Sequence, residues 1–317
     1  MIKWGIIGAG NIANRFADSL EKVTDGELYA VANRTIEKAE AFKANHPCEK
    51  AYGSYQELLD DDQVDAVYIA LPHKYHLEWV LQAIDAGKAI LCEKPATINQ
   101  SEVSEIEAAL DAKPVFFMEA MKSRFTPTYQ AVKELVAQGE IGEIKAITTS
   151  LCRKFDEADA SYHFEPGQGG CLLDMGVYNV ALLEDFLPGE FILKHLDYHL
   201  HESQVEVEVY VNAVFDVNGK EAVLESGFDR LTDAKAVIKG SKGEIVIYDF
   251  HRPTKFDFIV GDKVTNNEIL NVVDDFYGEI THVHANLKAD RLESNRMPMA
   301  DTKKFAAIID QLKAEIF

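Results

Sequence analysis

The chain has 317 residues, 47% of them hydrophobic, and a formal net charge of −21. That is enough apolar material for two folded domains. A carboxylate excess of this size repels nucleic acid and anionic membrane surfaces, so neither is expected as a partner.

In chain order, short apolar runs alternate with helical patterns over the first part of the sequence. Residues 2–7, 27–32, 66–71, 89–92 and 115–118 have the composition of strands, and residues 12–22, 36–44, 55–59, 76–86 and 101–110 carry apolar side chains at helical spacing. Repeated strand–helix–strand units of this kind predict a parallel sheet, with Gly87 as a left-handed helix cap. Beyond about residue 120 the pattern changes to a helix (128–138), a strand (144–151), a long loop with a second helix, and then several strands in succession, which predicts a largely antiparallel sheet. In the run Val205–Val217, Val205, Val207, Val209 and Val211 are expected on one apolar face, open to a second copy of the chain, with Glu206 and Glu208 solvated on the other. Residues 276–288 and 299–317 return to helical spacing and are expected to pack back on the first domain. The expected division is therefore 1–120 and 121–317.

The first strand runs into Gly8-Ala9-Gly10-Asn11-Ile12-Ala13 and then a helix, which is the G-x-G-x-x-G/A dinucleotide fingerprint in its required context. Gly8 permits the tight turn, Gly10 lets the backbone approach a pyrophosphate, and the helix start at Asn11 and Ile12 supplies N–H donors. An NAD-specific site places an acid at the end of the second strand, where this chain has Ala32-Asn33-Arg34-Thr35. Arg34, with Asn33 and Thr35 beside it, suits a 2′-phosphate, so NADP is favoured, with NAD as the other possibility.

The fifth strand ends on Leu91-Cys92-Glu93-Lys94-Pro95. Proline cannot donate to a sheet ladder, so Glu93 and Lys94 are left at the carboxyl end of the strand, where open α/β sheets bind ligands. Further on, Asp174 and Tyr178 in GGCLLDMGVY are four residues apart and share a face if the segment is helical, with Gly176 removing bulk between them.

Cys48, Cys92, Cys152 and Cys171 show neither CxxC spacing nor a compact framework, the pattern of reduced packing thiols. The pairs His73/His76 and His282/His284 have near-ligand spacing, but no neighbouring acids or cysteines complete a set, and no metal is expected. With no basic leader, no apolar signal core and no apolar stretch of about 18 residues, a cytoplasmic location is expected.

Taken together, the G-x-G-x-x-A start, ALPHKYH before a helix, AGKAILCEKP and GGCLLDMGVYN resemble the Gfo/Idh/MocA family of oxidoreductases over essentially the whole chain. AYGSYQELL, MEAMKSRFTP and GGCLLDMGVY resemble in particular its dimeric dihydrodiol dehydrogenase branch, which also acts as NADP-dependent D-xylose dehydrogenases. The resemblance implies a Rossmann domain followed by a substrate-binding α+β domain with an open, mainly antiparallel sheet that often mediates dimers, so a homodimer or dimer-based oligomer is expected. It also implies a hydride transfer between nicotinamide and a carbinol of a sugar or diol. Lys94 would contact the nicotinamide ribose and the reacting oxygen, Glu93 would face the cofactor, and Leu71 and His76 would lie near it. The family pattern D-x-G-x-H-x-x-D is broken twice, by Tyr178 in the histidine place and Ala181 in the last acid place. Tyrosine also occurs there in the dihydrodiol branch as the acid/base, a role carried to Tyr178. Tyrosine ionises near pKa 10, and an ammonium such as that of Lys94 would lower this. Asp174 would orient Lys94 or a substrate hydroxyl. Arg124, Tyr162 and His163 are further candidates for the pocket, and a catalytically silent nucleotide-binding sensor on the same fold is the alternative function.

Overall fold

The structure, a computed structural model, describes residues 1–155 and 162–317. The chain forms two compact units, Met1–Met121 with Val272–Lys303, and Lys122–Asn271 with Lys304–Phe317.

In the first unit the elements are β1 (Ile2–Ile7), α1 (Asn11–Leu20), β2 (Gly26–Ala32), α2 (Ile36–Asn45), β3 (Lys50–Tyr52), α3 (Tyr55–Leu59), β4 (Ala66–Ile69), α4 (His76–Asp85), β5 (Ala89–Glu93), α5 (Gln100–Ala112) and β6 (Phe117–Ala120). The six strands are parallel in the order β3-β2-β1-β4-β5-β6, a doubly wound Rossmann sheet whose order reverses between β1 and β4. Every residue of β4 and β5 is buried, as a sheet covered on both faces requires, which is why these strands read as continuous apolar runs. The edge strand β3 escapes the sequence patterns because three residues carry no period. The helix Tyr277–Lys288 also belongs to this unit. Trp4 Nε1 donates to His284 Nε2 at 2.8 Å, and His284 Nδ1 meets Asp25 Oδ1 at 2.6 Å. Burial lowers the His284 pKa against the pull of Asp25, and the neutral ring is what gives the Trp4 N–H its acceptor. His282 bonds Ser294 at 2.8 Å, so both histidines of that sequence pair serve packing contacts.

The second unit contains α6 (Pro127–Ala137), β7 (Ile144–Cys152), a π-helical turn (Leu172–Gly176) leading into α7 (Val177–Phe186), then β8 (Ile192–Leu200), β9 (Glu208–Val217), β10 (Lys220–Gly227), β11 (Lys235–Gly240), β12 (Glu244–Tyr248), β13 (Lys255–Val260) and β14 (Lys263–Glu268). The sheet order is β14-β13-β12-β11-β7-β10-β9-β8. Only the central pair β7–β10 is parallel. One face is core, with Ile147, Ala213, Phe215, Ala222, Leu224, Ala236, Ile238, Ile245 and Ile247 all buried. On the other face, register aligns Val214, Val223, Thr148, Val237 and Val246 in one row across five strands, each of them partly or fully exposed. The helix Tyr277–Lys288 (α8) of the first unit and a last helix, α9 (Met299–Ile316), follow.

The valine reading of β9 is corrected. Val205 precedes the strand and is 65% exposed, while Val207, Val209 and Val211 are 1%, 9% and 0% exposed, buried within the chain. Glu208, expected in solvent, is 1% exposed. The strand begins at Glu208, and its first residues are covered on both sides, so strict alternation does not mean one wet face here. Arg124 is also buried, donating to the Ala181 carbonyl at 2.8 Å and to Glu184 at 3.4 Å beside Phe305, so it holds an ion-pair network. Among the described residues no helix is long and apolar enough to cross a membrane.

Candidate functional site

In the first unit, β1 ends in Gly8 at φ 102°, a conformation open to glycine. A Cβ there would meet the Ala70 carbonyl oxygen at 2.5 Å and Leu71 Cδ2 at 2.9 Å. Gly10 is different: a Cβ built on it meets nothing within 4 Å. It is the N-cap of α1 and has no side chain to cap the first-turn N–H groups at Asn11 and Ile12, two residues that do not themselves line the cavity described next. That is the environment a pyrophosphate needs, a positive helix end with donors and room for backbone approach.

A cavity of about 420 Å³ opens here, lined by Gly8, Gly10, Asn33, Arg34, Leu71 and, unforeseen from sequence, Lys38. Arg34 lies 5.5 Å from the Tyr75 ring centroid, and its charge acts against the burial that raises the Tyr55 pKa. Asn33 Oδ1 accepts from Thr35 N at 3.0 Å, which shapes the turn and leaves its amide N–H₂ as the remaining donor. Tyr55, Tyr75 and Trp79 supply flat apolar walls. Lys38 lies one turn into α2 from Arg34, a spacing that marks it once the strand end is read as a phosphate site. The residues present therefore fit a dinucleotide carrying a 2′-phosphate.

The turn after β5 is clamped from several sides. Glu93 hydrogen-bonds the Tyr68 hydroxyl and accepts from Lys94 N at 3.2 Å. Tyr68 is itself stacked on Phe16, with ring centroids 3.9 Å apart. His76 is fully buried, with Nδ1 2.8 Å from the Pro95 carbonyl and Nε2 2.8 Å from that of Leu71. Burial lowers the His76 pKa while the two carbonyls act against that. Buried Glu119 accepts from Ala96 N at 3.1 Å and from Thr302 Oγ1 at 2.8 Å. His76 and Glu93 thus grip the backbone around Lys94, and neither lines the cavity described above. Glu119 is missed by motif reading, although a lone carboxylate inside the apolar run Val115–Met121 is a signal for it.

In the second unit, the Gly169–Tyr178 segment carries Asp174 on the π-helical turn and buried Tyr178 one residue into α7. π-turns often accompany functional sites, and four-residue spacing does not reveal one. Gly176 faces its own helix, where a Cβ would meet Leu172 Cδ2 at 3.1 Å, so the approach it permits is within the turn. His163 Nε2 lies 3.7 Å from Asp174 Oδ2, and its ring stacks with Tyr162 and Phe155 at 4.5 and 4.8 Å. The Tyr178 ring stands 5.8 Å from that of His251, a neighbour no motif marks.

Residues 2–121 match the model of an oxidoreductase family with an NAD-binding Rossmann fold, and residues 129–246 match the GFO/IDH/MocA C-terminal domain. The chain is 35% identical to trans-1,2-dihydrobenzene-1,2-diol dehydrogenase of Xenopus tropicalis, covering 98% of this chain and 96% of that one. It is 32% identical to the scyllo-inositol 2-dehydrogenase (NADP(+)) IolU of Bacillus subtilis, covering 100% and 97%. Among solved structures, a mutant of KijD10, a 3-ketoreductase from Actinomadura kijaniata in complex with TDP-benzene and NADP, superposes with a TM-score of 0.86 at 26% identity, covering 99% of this chain and 97% of that one.

The two glycines separate stability from binding. Gly8→Ala is expected to destabilise the fold by about 1–3 kcal/mol through backbone strain and collision with Ala70. Gly10→Ala should leave the thermal midpoint unchanged and weaken NADPH binding. Thermal melts with NADPH fluorescence titrations decide this; unchanged NADPH affinity in Gly10→Ala would remove the pyrophosphate from this turn.

Proposed function

The chain belongs to the GFO/IDH/MocA family of oxidoreductases, and from that premise we propose that it moves a hydride between NADP and a carbinol of a sugar or vicinal diol. The observation that carries the cofactor half is one cavity whose wall holds Gly8 and Gly10, the turn that leads into the uncapped α1, together with Arg34 and Lys38. The dihydrodiol and inositol dehydrogenase relatives support the substrate class. Residues 121–317 are proposed as the substrate-binding and dimerisation domain, and the proposed location is cytoplasmic.

Bound NADP supplies the hydride acceptor at nicotinamide C4. Tyr178 takes the proton as the substrate O–H bond breaks, while the carbinol C–H electron pair leaves as hydride and a C=O bond forms. The fixed Lys94 cation stabilises the oxygen as it becomes alkoxide-like. Asp174 orients a substrate hydroxyl. The clamps on Pro95 and Ala96 hold the backbone of Lys94, so little reorganisation remains for the reacting step. Among the KijD10 structures, a lysine-to-alanine and a tyrosine-to-phenylalanine variant stand as far apart in that chain as Lys94 and Tyr178 do here, which supports these two assignments.

A second copy of the chain is proposed to cover the open sheet face. The row Val214, Val223, Thr148, Val237 and Val246 is flanked by Glu221, Lys239 and Glu244 on one side and Glu225, Lys235 and Tyr248 on the other. An apolar stripe with both charge signs at its rim is self-complementary under two-fold symmetry. Sedimentation at micromolar concentration is expected to show a dimer that Val223→Asp converts to monomer, and a wild-type monomer contradicts it.

Lys94→Met and Tyr178→Phe are each expected to lower kcat by about 10²–10⁴-fold with NADP affinity little changed. Near-normal turnover of scyllo-inositol or an aldose in both variants would overturn the mechanism.

Cofactor choice gives a separate test. Charged hydrogen bonds to the 2′-phosphate imply an NADP preference of about 10- to 150-fold in kcat/KM. Because Lys38 adds a second cation, Arg34→Ala should keep part of that preference and Arg34→Ala with Lys38→Ala should lose it, chiefly through KM for NADP. Initial rates with both cofactors check this, and equal use by wild type refutes it.

A further inference from the structure

The Gly169–Asp174 turn is held by a side chain that comes from far away in the sequence. Glu208, the first residue of β9, is buried, and its Oε1 accepts from Leu172 N at 3.1 Å. Its carboxylate occupies the space a side chain on residue 170 would need: a Cβ built on Gly170, itself at φ 102°, collides with the Glu208 carboxyl. The turn is also stitched to β10, since Ser226 Oγ donates to the Cys171 carbonyl at 2.9 Å and Cys171 Sγ returns to the Ser226 carbonyl at 3.5 Å. Gly169 N and Gly170 N donate to the carbonyls of Glu165 and His163 at 2.7 and 2.9 Å. Each of these contacts fixes backbone, but Glu208 alone among them brings a carboxylate to the start of the helical segment that carries Asp174 and Tyr178.

We propose that Glu208 is the positioning residue of this segment: its carboxylate caps the first turn at Leu172 and sets where Asp174 and Tyr178 stand. The proposal rests on the acid/base reading of Tyr178. A carboxylate at a helix N-terminus is favoured by the partial positive charge there and by donors that otherwise have no intrahelical partner. Burial raises the Glu208 pKa, while Lys313 on α9 and the backbone N–H groups of Leu172 and Glu208 itself act to keep the charge. A group buried at that cost, with glycine opposite it to make room, is matched to one location. Moving the turn by about 1 Å changes the distance from Tyr178 to the reacting hydroxyl, and a displacement of that size costs about 10²-fold in rate.

The test uses the full-length protein with Glu208→Ala, Glu208→Gln and Glu208→Asp, with Tyr178→Phe as control. Hydrogen–deuterium exchange reads the amides of residues 171–174, NADPH fluorescence reads cofactor binding, and steady-state rates use scyllo-inositol with NADP. In Glu208→Ala the amides should exchange at least about tenfold faster, and kcat should fall by about 10²-fold with NADPH affinity unchanged. Glu208→Gln, whose amide oxygen still accepts from Leu172 N, should recover both to within about tenfold of wild type. If Glu208→Ala does not fold, Glu208→Asp, one methylene short of Leu172, is expected to show the same two losses. Wild-type exchange and kcat in a folded Ala or Asp variant, or a parallel loss of NADPH affinity, overturns the proposal. Wild-type turnover in Tyr178→Phe would sink the acid/base reading alone, because exchange at 171–174 still decides what Glu208 holds.

Discussion

Pinning of the backbone at the end of β5 is the constraint on which the proposed role of Lys94 depends. Lys94 sits on an irregular turn, whose backbone would otherwise sample many conformations. Three partners remove that freedom from the main chain: Glu93 at Lys94 N, His76 at the Pro95 carbonyl and Glu119 at Ala96 N. All three are buried polar groups packed on the turn; Glu93 is anchored on Tyr68 and Glu119 on Thr302, and the His76 ring sits between the Pro95 and Leu71 carbonyls. Buried polar groups are tolerated only when satisfied, so the same pairings that position the turn also stabilise it.

The second unit reaches an equivalent rigidity by other means. Its segment is a π-helical turn continued by an α-helix, tied to two sheet strands through Ser226 and Glu208 and to the preceding loop through the carbonyls of His163 and Glu165. A π-turn leaves more backbone groups out of register than an α-turn does, and external partners for its first N–H groups offset that deficit. In each unit, then, a buried carboxylate from another element accepts from a backbone N–H near residues proposed for the chemistry, Glu119 at Ala96 and Glu208 at Leu172. The chain's large negative charge is a surface property; these two acids belong to the interior and do a different job.

Much of the fold was legible in the sequence. A helical period survives where one face of a helix is buried, and a strand covered on both faces reads as a continuous apolar run, so α4, α9, β1 and β5 were found nearly to the residue, and Gly8, with its positive φ, marked the nucleotide turn. Elements too short to show a period, such as β3, were invisible. The β9 valines misled because the strand starts at Glu208 and both of its faces are covered there, so that alternation carried no information about solvent.

The sequence by itself determined the fold class, the phosphate-binding turn, the absence of an acid at the end of β2 and the strand-end placement of Lys94. Each follows from local chemistry: what glycine and proline allow the backbone to do, and which charges stand beside them. Only the tertiary structure decided that Glu119 and Glu208 are anchors, that His76 holds carbonyls, that Lys38 joins Arg34 at one cavity and that Arg124 belongs to an ion-pair network. Apart from Lys38, which lies one helical turn from Arg34, and the contact of His76 with Leu71, these roles depend on contacts between residues 19 to 183 positions apart, a distance over which no periodicity or motif extends, because the pairing is made by sheet register and helix packing.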